Sequence, residues 1–141
     1  MVKTLTTDLL VALAYGAVGV LLMAIGYVLV DVATPGRLRE LIWVDRNRNA
    51  ALLLASNLAG VGIIVVAAIA ASDNEFTAGI VGTIAYGGLG LLIMAAAFLL
   101  LDLATPGKLG ALLVDPQPHP ATWVSAVVHL ATGGIVAAAI S

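Results

Sequence analysis

Few side chains in this 141-residue chain can do chemistry, and their placement is specific. There are no cysteines, which excludes disulfides, thiolate nucleophiles, Cys-ligated zinc and iron–sulfur clusters. Two histidines leave little material for a metal site. His129 and Asn57 stand inside long apolar runs, and Ser125 and Thr132 lie one turn from His129 on the same helical face. A polar residue at that depth offers an interhelical hydrogen bond, worth about 0.6–2 kcal/mol. The sharper reading is a polar lining for a small pathway, since imidazole changes charge near neutral pH. Haem ligation is disfavoured, because only one histidine lies at depth. His119, in the loop Asp115-Pro116-Gln117-Pro118-His119-Pro120, reads as solvated. No P-loop, Gly-x-Ser-x-Gly, His-Glu-x-x-His or paired intramembrane carboxylate occurs. The expectation is therefore a protein that is not an enzyme and carries no metal or cofactor.

The elements that hold these residues follow from hydropathy. The chain is 62% hydrophobic and 10% charged, with a net charge of −2 and a mean hydropathy of +1.13. Soluble domains are about 45–50% apolar and about 25% charged. An ordinary soluble enzyme, a disordered chain and an electrostatic nucleic-acid binder are thereby excluded. Four runs, at about 9–30, 50–71, 78–101 and 122–140, have the length to cross a bilayer core as helices and contain no Asp, Glu, Lys or Arg. The first is too long for a cleavable signal, and no clear cleavage site follows it. The expected class is an all-α integral membrane protein, one domain over 1–141.

Basic residues set the orientation. The first connection holds Arg37, Arg39, Arg46 and Arg48, and the third holds Lys108. The middle connection, Ser72-Asp73-Asn74-Glu75-Phe76-Thr77, has two acids and no base. Both basic connections are thus expected in the cytoplasm and both termini outside. Trp43 and Trp123 then fall at the cytoplasmic interface, where indole rings prefer to lie.

The chain is also a duplication. Residues 15–42 align with 86–113 at an offset of 71, with 14 of 28 positions identical. Farther on the offset becomes 72, so that Asn57 faces His129. Repeat 1 covers about 9–72 and repeat 2 about 78–141. Each holds two spans, so both copies enter the membrane in the same direction, as parallel repeats about an axis along the membrane normal. Asn57 and His129 are expected to approach each other near that axis. Small residues at Ala12/Gly16, Ser56/Gly60, Ala78/Gly82 and Thr83/Gly87, with Gly16/Gly19 and Gly87/Gly90, allow close helix packing or a homo-oligomer interface.

Each repeat carries one turn motif, Asp31-x-Ala-Thr34-Pro35-Gly36-Arg37-Leu38 and Asp102-x-Ala-Thr105-Pro106-Gly107-Lys108-Leu109. Proline ends the preceding helix, while threonine suits an N-cap and proline a first helical position. The motif predicts short interfacial helices after spans 1 and 3, at about 35–43 and 106–114. Leu38, Leu41 and Ile42 would dip into the interface. Asp31 and Asp102 meet the negative end of a helix dipole and need compensation. The candidates are Arg37, Lys108, a following helix N-terminus or a bound cation. Arg37, Arg39, Arg46 and Arg48 also suit contact with headgroups or an acidic cytoplasmic partner.

The duplicated hairpin, the Thr-Pro-Gly-Arg/Lys-Leu turns and the stretch Arg46-Asn47-Arg48-Asn49-Ala50-Ala51 resemble the YjfL-like bacterial inner-membrane proteins, classed as domain of unknown function 350. The resemblance covers almost the whole chain. It implies four helices from two copies of a two-helix unit, a place in the bacterial cytoplasmic membrane, and no established activity. Through gene neighbourhood it implies an association with envelope-stress proteins of the phage-shock type and with polyamine enzymes. The second copy departs from the Asn-Ala-Ala pattern, reading Pro118-His119-Pro120-Ala121.

Two functions stay open. One is a non-enzymatic scaffold or accessory subunit in the bilayer, homo-oligomeric and recruiting a cytoplasmic protein through its arginine loop. The other is a small ion channel or carrier, with its pathway near Asn57 and His129 and with Asp31 and Asp102 at its cytoplasmic mouth.

Overall fold

In the computed structural model the described residues are 2–72 and 75–141. Asp73 and Asn74 of the middle connection lie outside them. Four long helices, α1 (Val2–Ala33), α3 (Arg48–Ala70), α4 (Phe76–Ala104) and α6 (Pro120–Ile140), form the bundle. Two short ones, α2 (Leu38–Trp43) and α5 (Leu109–Leu113), follow α1 and α4. All four long helices are apolar and long enough to cross a membrane. At 1.5 Å per residue α3 and α6 measure about 35 and 32 Å, close to a hydrocarbon core of about 30 Å. The 32 residues of α1 and 29 of α4 exceed that span, so these two helices tilt or run on into the headgroups.

α3 is the hub, packed against α1, α4 and α6. Lipid tails are as apolar as leucine, so close backbone approach must draw the helices together. It does so most tightly between α3 and α6. A methyl group on Gly60 would stand 2.7 Å from the His129 carbonyl oxygen, and one on Gly133 would stand 2.7 Å from that of Gly60. Gly87 and Gly90 receive Leu22 and Ile64 in the same way. Gly16, by contrast, faces open space, and Gly82 has only the rim of its own Tyr86 nearby. Of the small-residue positions read from sequence, those on the inner faces serve packing within the chain.

Two apolar clusters divide the core along its length. Leu22, Val61, Ile64, Val65, Leu91, Met94 and Val136 fill one half. Val30, Leu38, Leu53, Leu54 and Leu109 fill the other, beside the α2 and α5 turns. Leu38 and Leu109, matching positions of the two turn motifs, meet in that second cluster. Leu38 is thus buried in the protein and does not dip into the lipid interface.

The turns themselves differ from the expected N-cap geometry. Thr34 and Thr105 do not cap α2 and α5: their hydroxyls donate back to the carbonyls of Val30 and Leu101, at 2.8 and 2.7 Å, and close the ends of α1 and α4. Pro35-Gly36 and Pro106-Gly107 then form the corner, with both glycines at positive φ, 95° and 88°. The short helices therefore begin at Leu38 and Leu109, three residues beyond Pro35 and Pro106.

Candidate functional site

Asp31 supplies the cap that threonine does not. Its Oδ1 accepts from the Leu38 amide at 2.7 Å, so the carboxylate that opposes the α1 dipole faces the N-terminus of α2. Asp102 repeats the arrangement more loosely, accepting from the Gly110 amide at 3.4 Å. In both repeats the N-terminus of the following helix thus compensates the carboxylate. Arg37 instead faces Glu40 at 3.7 Å, both exposed.

Asn57 and His129 line one cavity of about 340 Å³, together with Met94, Phe98 and Leu99, and Asp102 stands on the same lining. They share that space without bonding each other. The partner of the imidazole is Ser56, whose Oγ lies 3.1 Å from Nδ1 and donates to the Leu53 carbonyl at 2.9 Å. With the hydroxyl proton on Leu53, the network assigns the ring proton to Nδ1 and leaves Nε2 as the acceptor. The Phe98 ring stacks on His129, centroids 6.0 Å apart. Asn57 Oδ1 is buried and has no hydrogen-bond partner. Ser125 is buried, its hydroxyl donating to the Ala121 carbonyl at 3.0 Å, and Thr132 is half-buried one turn beyond His129.

A second polar constellation, not read as a site from sequence, lies where α3 begins. Asn47 caps α3 by accepting from the Ala50 amide at 3.0 Å and donates to the carbonyls of Val114 and Asp115. Asn49 donates to the carbonyls of Asp115 and Gln117, and accepts from the His119 amide and the Thr122 hydroxyl. The two asparagines thus clasp the first connection to the third and bring both basic connections to one end of the bundle. His119, expected to be solvated, is the half-buried N-cap of α6, its Nδ1 accepting from the Ala121 amide at 3.1 Å. Its neighbour Pro120 occupies the start of that helix, where the missing N–H costs nothing.

Arg39, Arg46 and Arg48 are exposed around this clasp, and Arg46 holds a positive φ of 53°. Arg48 borders an open groove of about 590 Å³ with Leu52, His119 and Trp123. Trp43 and Trp123 are both exposed at the same end. At the opposite end the Tyr15 hydroxyl lies 3.2 Å from Ser72 Oγ and its ring meets Phe76 edge-on.

Comparison with known proteins gives a membrane family without an assigned chemistry. The UPF0719 transmembrane protein of Mycolicibacterium paratuberculosis is 35% identical over 127 residues, covering 90% of this chain and 84% of the relative. UPF0719 transmembrane proteins of Mycobacterium bovis and Mycobacterium tuberculosis are 36% identical over the same shares. No solved structure matches. The family model of the Domain of Unknown Function DUF350 matches residues 4–140, and the chain belongs to that family of transmembrane proteins.

Proposed function

We propose that this protein is a non-conducting, non-enzymatic scaffold or accessory subunit of the bacterial cytoplasmic membrane, with both termini outside. One observation carries the reading: a packed apolar cluster lies beyond the polar layer at Asn57 and His129. Beyond it, successive turns of α3 and α6 present Val61, Ile64, Val65 and Val136, packed with Leu22 and Leu91 into a closed apolar cluster, and Gly60 and Gly133 meet backbone to backbone. Among the described residues, an ion reaching His129 from the Asp102 end meets in that half, short of the Tyr15–Ser72 pair at its far end, only the half-buried Thr132 and the buried Thr83, whose hydroxyl is already committed to the Gly79 carbonyl.

The working surface is then the clasped end. Asn47 and Asn49 hold the arginine loop in one shape. Arg39, Arg46 and Arg48 stay exposed on it with no ion-pair partner among the described residues, which suits an acidic cytoplasmic protein or anionic headgroups. A role in envelope stress, and assembly of several copies, are supported only by the family resemblance and by the open small-residue positions. A carrier is the second reading, favoured by Asn57, His129 and Asp102 sharing one cavity. It requires the apolar cluster to open during transport.

Proton and potassium flux in proteoliposomes of folded, oriented protein separates the two. The expected flux equals that of protein-free vesicles. Flux that disappears in His129→Ala or in Asp31→Asn/Asp102→Asn overturns the scaffold reading. On that reading, Arg46→Glu/Arg48→Glu also releases the copurifying cytoplasmic partner, and unchanged copurification removes the arginine loop from the argument.

A further inference from the structure

We infer that the cavity between α1, α3, α4 and α6 is a binding site for a neutral, lipid-soluble molecule with a hydroxyl head. The inference stands independently of the scaffold and carrier readings. It starts from Asn57, 7% exposed, whose Oδ1 is sealed from solvent and bonded to nothing. A buried amide oxygen without a partner is rare in native structures and costly to keep. Ser56 and Asn49 on the same helix and its N-cap Asn47 all have partners. The exception is the one whose residue lines a cavity.

That cavity has the size and lining of a small-molecule site. Its volume of about 340 Å³ falls in the range of roughly 300–1,000 Å³ typical of ligand pockets. Its walls are aliphatic and aromatic, with polar groups at Asn57, His129 and Asp102 alone. Val32 and Leu99, which line it, are 81% and 58% exposed on the lipid-facing surface of α1 and α4. A molecule dissolved in the bilayer therefore enters sideways, between α1 and α4, without crossing water.

The polar groups select the head. The Asn57 amide offers a donor and, after a half-turn of χ2 that brings the sealed Oδ1 to the cavity side, an acceptor. His129, with its Nδ1 proton given to Ser56, offers an acceptor at Nε2. A hydroxyl both donates and accepts and satisfies this pair. An anionic head would shed its hydration beside Asn57 and His129 and face the Asp102 carboxylate on the same lining, while a cationic head would be drawn to Asp102, already engaged with the Gly110 amide, and would leave the Asn57 amide unanswered. Gly26 keeps the amide unencumbered: a methyl group at that position would stand 3.4 Å from Oδ1 and 3.1 Å from Val61.

The test is titration of the isotopically labelled protein in lipid nanodiscs with 4-butylphenol and, matched for apolar body, with butylbenzene. The backbone amides of Met94 and Phe98 serve as reporters. The expected result is a saturable shift with 4-butylphenol, an affinity about three- to tenfold weaker for butylbenzene, and a similar loss for 4-butylphenol in Asn57→Leu, the effect of one net hydrogen bond. Ala95→Leu fills the cavity without touching the amide and abolishes saturation, so the inference remains testable if Asn57→Leu does not fold. Equal affinity for the two probes overturns it, as does saturation that survives Ala95→Leu. So does binding that is lost in Asp102→Asn but kept in Asn57→Leu, which places the head at Asp102 and not at the amide.

Discussion

Replacing Asn49 with alanine should destabilise the bundle by about 2–4 kcal/mol, although the residue lies at a helix end and touches no catalytic group. The magnitude follows from its four bonds. Nδ2 donates to the carbonyls of Asp115 at 3.0 Å and Gln117 at 2.7 Å, and Oδ1 accepts from His119 N at 3.1 Å and Thr122 Oγ1 at 3.0 Å. At about 0.5–1.5 kcal/mol net for each bond, the sum is about 2–6. Asp115 and Gln117 belong to an exposed loop, where water replaces the lost donor, and this removes the upper part of the range. Thr122, only 1% exposed, has no such relief. Asn49→Asp keeps the shape but turns a carboxylate oxygen toward two carbonyls, and loses at least as much. Thr122→Val combined with Asn49→Ala should fall short of the sum of the single effects by about 1 kcal/mol, because the two share a bond. Equilibrium unfolding in mixed micelles, followed by the fluorescence of the neighbouring Trp123, measures all three. An Asn49→Ala protein within about 0.5 kcal/mol of the parent would refute the clasp, since a net bond worth that little lies at the floor of the range.

Other substitutions test the same reasoning elsewhere. Gly133→Ala drives a methyl group into the Gly60 backbone and should separate α3 from α6, costing more than about 2 kcal/mol, whereas the neighbouring Gly134→Ala meets open space and gains helix propensity; thermal unfolding of the two variants side by side reads the contrast. Asp31→Ala should cost about 1 kcal/mol through loss of the 2.7 Å cap on Leu38, and Asp102→Ala distinctly less, because its bond to Gly110 is 3.4 Å long; equal losses in the mixed-micelle assay would contradict the geometry. Ser56→Ala leaves the buried His129 Nδ1 without its partner and should cost about 1–3 kcal/mol, with the imidazole proton signals moving in the NMR spectrum.

The fold is largely legible because bilayer helices announce themselves by composition: three of the four charge-free apolar runs are helices within three residues of their expected bounds, and the first extends seven residues farther toward the N-terminus, to Val2. The turn motif was legible as a stop but not in detail. Threonine and proline are as compatible with a helix start as with a helix end, and only the positive φ of Gly36 and Gly107 decides between them. Asn57 and His129 were found by their depth, a signal that needs no contacts. The clasp was missed for the opposite reason. Asn47 and Asn49 lie at a polar helix end, where asparagine is ordinary, and their amide groups donate to backbone carbonyls 66 to 68 positions away that no side-chain pattern marks. In the sequence Ser56 is a small packing residue, paired with Gly60. Its hydroxyl bond to His129 depends on which side of α3 faces α6, a choice made by the Gly60–Gly133 contact and not by the local sequence.

Asn57 and His129 align in the duplication, yet their surroundings predict that they are not exchangeable. His129→Asn removes the ring that stacks on Phe98 and the partner of Ser56, worth about 0.5–1.5 kcal/mol each, and leaves a void next to the existing cavity. The expected loss is about 2–3 kcal/mol. Asn57→His adds bulk at a position whose Oδ1 already lacks a partner and which lines a cavity of about 340 Å³. The added ring has room to turn into that space, so the overpacking cost of about 1–3 kcal/mol seen in filled cores should shrink to about 1 or less. The same substitution should occupy the cavity and weaken 4-butylphenol binding. Unfolding and titration of the two variants together give the answer. Equal losses of stability from the two swaps would mean that Asn57 is packed as tightly as His129, and the cavity at its side would then have no claim to be a site.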